Sequence, residues 1–406
     1  MNVFVGRQPI FDRSLHTYGY ELLFRSGATN SFDGTDAVTA TSTVIANTFL
    51  AIGADRILGN HKGFINFPGD LLVDAGADGL PSGVVVVEIL ETVVPTEEVI
   101  RGCRRLKDRG FLLALDDFVE SSDHNPLIEL ADFIKVDFRA TPLEVCGKLA
   151  WEFGRRNIRM LAEKVESRQE VEHARAMGYS YYQGYFFAKP EIVKARDVPK
   201  NKLNCLRILR ELQKPTLDFG LLEELIRMDV SLAFGLLRYV NSAAFGFSRR
   251  IETIRHSLIV LGERDVRKVV SLAVIPGLAS DKPHELTRTA LNRGRLCERI
   301  AAITCLNARA SECFLMGMFS LLDAMIGRPL DELAGELGLA PDVRSVISGD
   351  PAPNEPLAAA YRLCLACETA DVPAIAEHSR GLSLPPETAA ELSLESMSWS
   401  ETVLQS

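Results

Sequence analysis

Several things are scarce in these 406 residues, and each scarcity closes off a class of explanation. No apolar run approaches the roughly 18 residues that a membrane-spanning helix requires, so no membrane partner is expected. The opening stretch Met1-Asn-Val-Phe-Val-Gly-Arg7 lacks the charged region, apolar core and cleavage site of a signal peptide, which points to a cytoplasmic location. Lys and Arg are outnumbered, 45 against 54 Asp and Glu, and the net charge is −9. A sequence-independent nucleic-acid binder needs the opposite excess to displace counterions, so no nucleic-acid partner is expected. The eight cysteines are scattered and form no short, dense framework, which reads as reduced thiols. The tight pair Cys364-Leu-Ala-Cys367 has no second pair to complete a zinc site. Its neighbours Ala359, Tyr361, Leu363 and Leu365 look helical and apolar, so buried packing is expected. The dipeptide His-Asp occurs nowhere.

What remains is a chain of globular composition, too long for one ordinary domain and long enough for two cores. In the first half, short apolar runs alternate with helical stretches. Strands are predicted at Val3–Pro9, Tyr18–Phe24, Gly63–Phe67, Gly83–Leu90, Phe111–Phe118, Phe133–Asp137, Arg159–Val165 and Tyr179–Phe187. Helices are predicted at Val38–Ile52, Thr96–Arg109, Pro142–Phe153 and Arg168–Met177. Such alternation forces a mostly parallel sheet, because each parallel crossover needs a helix to return the chain. Val84-Val-Val-Val87 and Leu112-Leu-Ala-Leu115 are apolar on both pleat faces, as buried strands are. The expected fold is an α/β TIM-like barrel whose opening pair of strands forms an antiparallel hairpin around Asp12-Arg-Ser-Leu-His16. From about Asn201 strands give way to helical periodicity, as in Leu232, Leu236, Leu237 and Val240, so an all-α domain is expected to follow. The polar segment Lys194–Lys202, with Pro199, reads as the linker, giving domains of 1–198 and 199–406. The weakly patterned tail after Leu394 reads as a last short helix.

The strand ends carry the chemistry. Seven runs finish on or beside Glu21, Asn66, Glu88, Asp116 and Asp117, Lys135, Glu163, and Gln183. A parallel barrel delivers its strand ends to one rim, so these residues are expected to converge. Singly they have blander readings. Asp116-Asp117 reads as a helix N-cap, Glu88 and Glu91 as solvated loop charges, and Lys135 with Asp137 as an ion pair worth about 0–1 kcal/mol. Together, five carboxylates and one ammonium carry a net charge of −4. Two carboxylates 4 Å apart repel by about 4 kcal/mol at an effective dielectric near 20, so such a mouth calls for cations or shared protons. A pair of Mg²⁺ or Mn²⁺ ions would balance the charge, and Asn66 and Gln183 add neutral oxygens without adding repulsion.

These residues also carry a resemblance. Gln8-Pro9-Ile10, Tyr20-Glu-Leu-Leu-Phe-Arg25, Ile65-Asn66, Glu88-Ile-Leu-Glu91, Leu115-Asp-Asp-Phe118, Ile134-Lys-Val-Asp137, Ala162-Glu-Lys-Val-Glu166 and Gln183-Gly-Tyr-Phe-Phe-Ala-Lys-Pro190 resemble, in order, the motifs of the EAL family. The resemblance implies metal-dependent hydrolysis of cyclic di-GMP to linear pGpG. It implies that Glu21, Asn66, Glu88 and Asp116 bind the metals with Asp117 beside them, and that Lys135 and Glu163 activate or position water with Gln183 nearby. Gln8, Leu23, Arg25 and Pro190 fall on ligand-binding positions, Arg25 suiting a phosphate through its bidentate guanidinium. Glu91 falls on the anchor of the loop after the Asp pair. That loop reads Phe118-Val-Glu-Ser-Ser-Asp-His-Asn125 where the family is Gly-rich, and Lys164 stands where it has Gly.

The helical half is similar to HDOD domains through Asp229, Leu236-Leu-Arg-Tyr-Val-Asn-Ser-Ala-Ala-Phe-Gly246, Ile254-Arg-His-Ser-Leu258 and Leu261-Gly262. Ser320-Leu321 stands where related metal hydrolases carry His-Asp. A regulatory or protein-partner role for this half is therefore implied, and the resemblance is compatible with a homodimer. Asn241-Ser242 reads as a helix-end structure and His256 as a packed or solvated residue. The alternatives are a non-enzymatic cyclic di-GMP receptor, suggested by the altered loop, and a TIM-barrel lyase or aldolase that reuses a metal site.

Overall fold

The computed structural model describes residues 3–26, 58–73, 80–118, 126–189, 199–242, 250–350 and 355–405. The predicted helix 38–52, the loop 119–125, Pro190 and residues 194–198 lie outside these. The chain divides into two compact units, Met1–Phe187 with Ala366–Pro373, and Ala188–Leu365 with Ala374–Ser406.

In the first unit eight strands close a barrel: β1 (Val3–Phe11), β2 (Thr17–Ser26), β3 (Lys62–Phe67), β4 (Val85–Ile89), β5 (Leu112–Leu115), β6 (Phe133–Asp137), β7 (Arg159–Glu163) and β8 (Tyr181–Gln183). All eight predicted strands are present. β1 runs antiparallel to both of its neighbours, β2 and β8, and every other pairing is parallel. The helices on this scaffold include α1 (Gly69–Val73), α2 (Glu97–Asp108), α3 (Leu143–Gly154) and α4 (Arg168–Met177). Their ends follow ordinary capping chemistry. The Thr96 hydroxyl accepts from the Val99 amide at the start of α2, Ser167 accepts from Glu170 at the start of α4, and Gly178 closes α4 in the left-handed conformation.

The barrel floor explains where the polar residues go. Ile10, Phe64, Val86, Ala114, Phe133 and Leu161 form one fully buried cluster, with Tyr18, Leu112 and Tyr181 packed against it. Side chains on a strand alternate between faces, so the residue two positions on points the same way, about 6.6 Å higher. Two residues beyond Phe64, Val86, Ala114, Phe133, Leu161 and Tyr181 come Asn66, Glu88, Asp116, Lys135, Glu163 and Gln183. In β1, which runs the other way, the matching step goes backward from Ile10 to Gln8. The polar set is therefore the next layer of the same interior.

The second unit is helical. The helices that follow the barrel strands in the chain are α5 (Lys200–Leu212), α6 (Phe219–Arg227), α7 (Val230–Val240), α8 (Ile254–Leu278), α9 (His284–Ala302), α10 (Ala310–Phe319), α11 (Leu322–Ile326), α12 (Leu330–Leu337), α13 (Pro341–Ser348), α14 (Glu355–Thr369), α15 (Val372–Gly381) and α16 (Pro386–Gln405), the end of α14 and the start of α15 falling in the Ala366–Pro373 segment of the first unit. Two expectations are corrected. Lys200 to Lys202 already belong to α5, because Pro199 sets the N-terminal edge of that helix. The tail after Leu394 is no separate short helix but the C-terminal half of the 20-residue α16. Buried Ser393, Ser396 and Ser400 make its pattern look polar, while Ser396 and Ser400 turn their hydroxyls onto carbonyls of their own helix.

Candidate active site

Lys135 is the centre of the barrel mouth. Its ammonium is fully buried and lies 2.6 Å from Asp116 Oδ1, 2.8 Å from Glu88 Oε1, 2.9 Å from Glu163 Oε1 and 3.3 Å from Glu21 Oε2. Gln183 Nε2 donates to Glu21 Oε2 at 2.7 Å and to Gln8 Oε1 at 3.0 Å, tying β8, β2 and β1 together. Asn66 adds a further hydrogen bond to Glu21. Six strand-end residues named from the sequence, Glu21, Glu88, Asp116, Lys135, Glu163 and Gln183, thus meet in one cluster with Asn66 and Gln8 on its edge. Asp116 is no helix cap, since its carboxylate goes to Lys135, and Glu88 is no loop charge, being completely buried.

Four carboxylates surround one ammonium, and their protonation reflects the imbalance. Burial, which disfavours the charged form, is the largest influence on Glu163 and lifts it to about 8, with Asp116 and Glu21 adding repulsion. Burial likewise holds Glu88 well above and Asp116 above the usual carboxylate range. Glu21 is buried too, yet Lys135 and the bonds from Gln183 and Asn66 outweigh that and lower it. Lys135 pays the cost of burial and is still held well above its ordinary value by the four carboxylates. Several acceptors remain unmatched: Glu88 Oε2, Asn66 Oδ1 and Gln183 Oε1 are buried without a hydrogen-bond partner. Among the described residues no three acidic, His or Cys side chains form a ready-made metal cage. The ammonium stands between the carboxylates and draws them onto itself.

The rim has a second layer. Asp137 does not pair with Lys135. Its Oδ1 accepts from the Arg139 and Ala140 amides, capping the loop after β6, while its Oδ2 takes Lys164. The bland alternative of a Lys135–Asp137 ion pair does not hold: Asp137 pairs with Lys164 across β6 and β7. Asp117 and Lys164 both adopt left-handed backbone, with φ of 40° and 53°. Leu23 shares the Glu21 face of β2 and is half-buried. Arg25 pairs through its backbone with Phe4, and Glu91 is exposed on the turn after β4. Asp137 is the rim residue that sequence reading did not assign to the site; Lys164, standing where the family has Gly, already read as a second cation near the mouth. Gly184, next to Gln183, is required. A Cβ there would lie 2.0 Å from the Val165 carbonyl oxygen, and its φ is 148°.

Among its described residues the helical unit has no counterpart to this mouth. At Ser320, where a His-Asp pair would begin, the hydroxyl donates to the Gly317 carbonyl at 2.8 Å and accepts from Arg293 Nη1 at 3.2 Å. Arg293, Ser320 and Leu321 are all buried. Asn241 is a structural clasp at the end of α7: its amide donates to the Leu237 and Ile251 carbonyls and accepts from the Ile251 amide. Asp229 caps the other end of the same helix. His256 is exposed, and Cys364 and Cys367 are buried free thiols.

An EAL domain model matches residues 50–190 and an HDOD domain model matches residues 198–326. A curated relative, the cyclic di-GMP phosphodiesterase CdgJ of Vibrio cholerae serotype O1, is 37% identical over 98% of this chain and 93% of its own length. The chain belongs to the EAL–HDOD family. A second relative, the uncharacterized protein YuxH of Bacillus subtilis, is 33% identical over 86% of this chain and 87% of its own. Both spans run through the EAL and the HDOD parts together. Among solved structures, the Klebsiella pneumoniae BlrP1 calcium/cyclic di-GMP complex is 23% identical over 47% of this chain and 56% of that one, with a TM-score of 0.40. No helix among the described residues is long and apolar enough to cross a membrane.

Proposed function

We propose that the barrel binds cyclic di-GMP with divalent metal and hydrolyses it to linear pGpG, and that residues 199–406 form a regulatory or partner-binding HDOD domain behind a 1–198 EAL domain. The observation that carries this reading is the buried cluster of Glu21, Glu88, Asp116 and Glu163 on one ammonium. The donor set suits Mg²⁺ or Mn²⁺. It is all oxygen, it holds more negative charge than Lys135 can balance, and it keeps Glu88 Oε2, Asn66 Oδ1 and Gln183 Oε1 without partners. Glu21, Asn66, Glu88 and Asp116 would hold the metal, with Asp117 beside them. Bound there, the cations would polarise a phosphodiester and lower the pKa of a water.

The chain's own groups have separate tasks. Lys135 spaces the carboxylates and keeps a positive charge beneath the site. Glu163, whose hold on a proton burial strengthens, is the group placed to take or return one. Gln183 fixes the Glu21 carboxylate through its Nε2 bond. Gln8, Leu23, Arg25 and Pro190 are the ligand-binding positions and Glu91 the loop anchor. A cytoplasmic location and a homodimer belong to the same reading. The test is chromatography of cyclic di-GMP incubated with purified protein and Mn²⁺: pGpG should accumulate. If none forms but calorimetry with Ca²⁺ shows binding, the barrel is a receptor; if neither is seen, the reading fails.

A further inference from the structure

The rim of the mouth is acidic, and one exposed cation stands on it in an unfavourable backbone conformation. Lys164 follows Glu163 at the end of β7 with φ 53°, the region glycine occupies without cost and other residues enter at a penalty. Its side chain is 58% exposed. Its ammonium reaches Asp137 Oδ2, and it lies near enough to Asp117 and Glu163 to feel both charges. The bond to Asp137 does not require a lysine. Asp137 is already committed through Oδ1 to the Arg139 amide at 2.6 Å and the Ala140 amide at 3.1 Å, so its loop is capped either way. An ammonium has three donors, and Asp137 takes one. Asp137 is buried but the ammonium end of the pair is open to solvent, and ion pairs screened in this way contribute little to stability.

We propose that Lys164 is a substrate-binding residue that receives a phosphate of the cyclic dinucleotide at the rim, with Asp137 holding the ammonium in place before the ligand arrives. This rests on the cyclic di-GMP reading above. With Glu21, Glu88 and Asp116 assigned to the cations, the carboxylates of Asp117 and Asp137 remain near Lys164, and a dianionic ligand must pass them. Lys164 is placed at the entrance to offset them, whereas Lys135 is sealed beneath. A strained non-glycine residue kept at such a point fits a group retained for binding at the expense of stability.

Three variants separate binding from scaffolding: Lys164→Met removes the charge and keeps the strain, Lys164→Gly removes both, and Lys164→Arg keeps both. Titration with cyclic di-GMP in Ca²⁺ should give about tenfold weaker binding for Met and for Gly, a difference of about 1.4 kcal/mol, and near-normal binding for Arg. In Mn²⁺ the loss should fall on KM with kcat little changed. Melting should run the other way, Lys164→Gly standing about 2–4 °C above Lys164→Met. If wild type binds and the Met and Gly variants bind as well as it does, Lys164 is a rim clasp and the proposal is overturned. If wild type itself does not bind, the cyclic di-GMP reading fails and takes this one with it.

Discussion

The barrel mouth and the Ser320 region of the helical unit are the two places where the resemblances direct a search for a metal hydrolase site, and they treat charge in opposite ways. At the mouth four carboxylates crowd one ammonium, and three buried acceptors have nothing to accept from. Around Ser320 a guanidinium, a hydroxyl and a backbone carbonyl hydrogen-bond in series. An incomplete polar cluster in a buried place is costly unless something else completes it. A completed one asks for nothing. That difference, more than the presence of any one residue, separates an under-satisfied buried polar cluster from a satisfied one.

The comparison can be broken most directly at Glu21. Glu21→Ala should cut Mn²⁺-dependent pGpG formation by about a thousandfold with melting little changed, a loss typical of removing one preorganised electrostatic group. Retained turnover in a purified single-turnover assay would remove the mouth from the chemistry. Next comes Lys135→Met, which leaves buried carboxylates without their counter-ion and should cost about 3–5 kcal/mol in urea unfolding without metal. Mn²⁺ should recover more stability in this variant than in wild type. Arg293→Met in the helical unit should show no such recovery, and an equal response to Mn²⁺ would erase the contrast. Gly184→Ala forces a methyl against the Val165 carbonyl and should cost about 1–3 kcal/mol, with weaker nucleotide binding as Gln183 shifts. The smallest effect expected is Asp229→Ala, about 1 kcal/mol from the lost α7 cap and no change in hydrolysis. Altered turnover there would mean that the helical unit reaches the barrel chemistry.

Much of this was legible because a barrel converts sequence position into spatial position with few free choices. Apolar runs gave the eight strands, and their polar ends named the cluster. The identity of the hub was not legible. Lys135 looked like one strand-end charge among several, because nothing in a linear pattern says that four carboxylates will choose the same ammonium. The partner of Asp137 was not legible for a related reason: Lys135 is drawn down into the cluster, which leaves Asp137 to the loop amides and to Lys164. In the helical unit the cap role of Asn241 was readable from its place at a helix end. The length of α16 was not, since inward serines that bond their own backbone look like solvent-facing ones.

The aromatic floor beneath the cluster has a mechanical consequence. Phe133 meets Phe64 on one side and Tyr181 on the other edge to face, and each of the three sits two residues before a polar member of the cluster. The same packing that keeps water out from below therefore sets the spacing of the oxygens above. Trimming a floor ring would move the chemistry as surely as replacing a ligand, so in this barrel tolerance to core substitution and precision of the site are a single property.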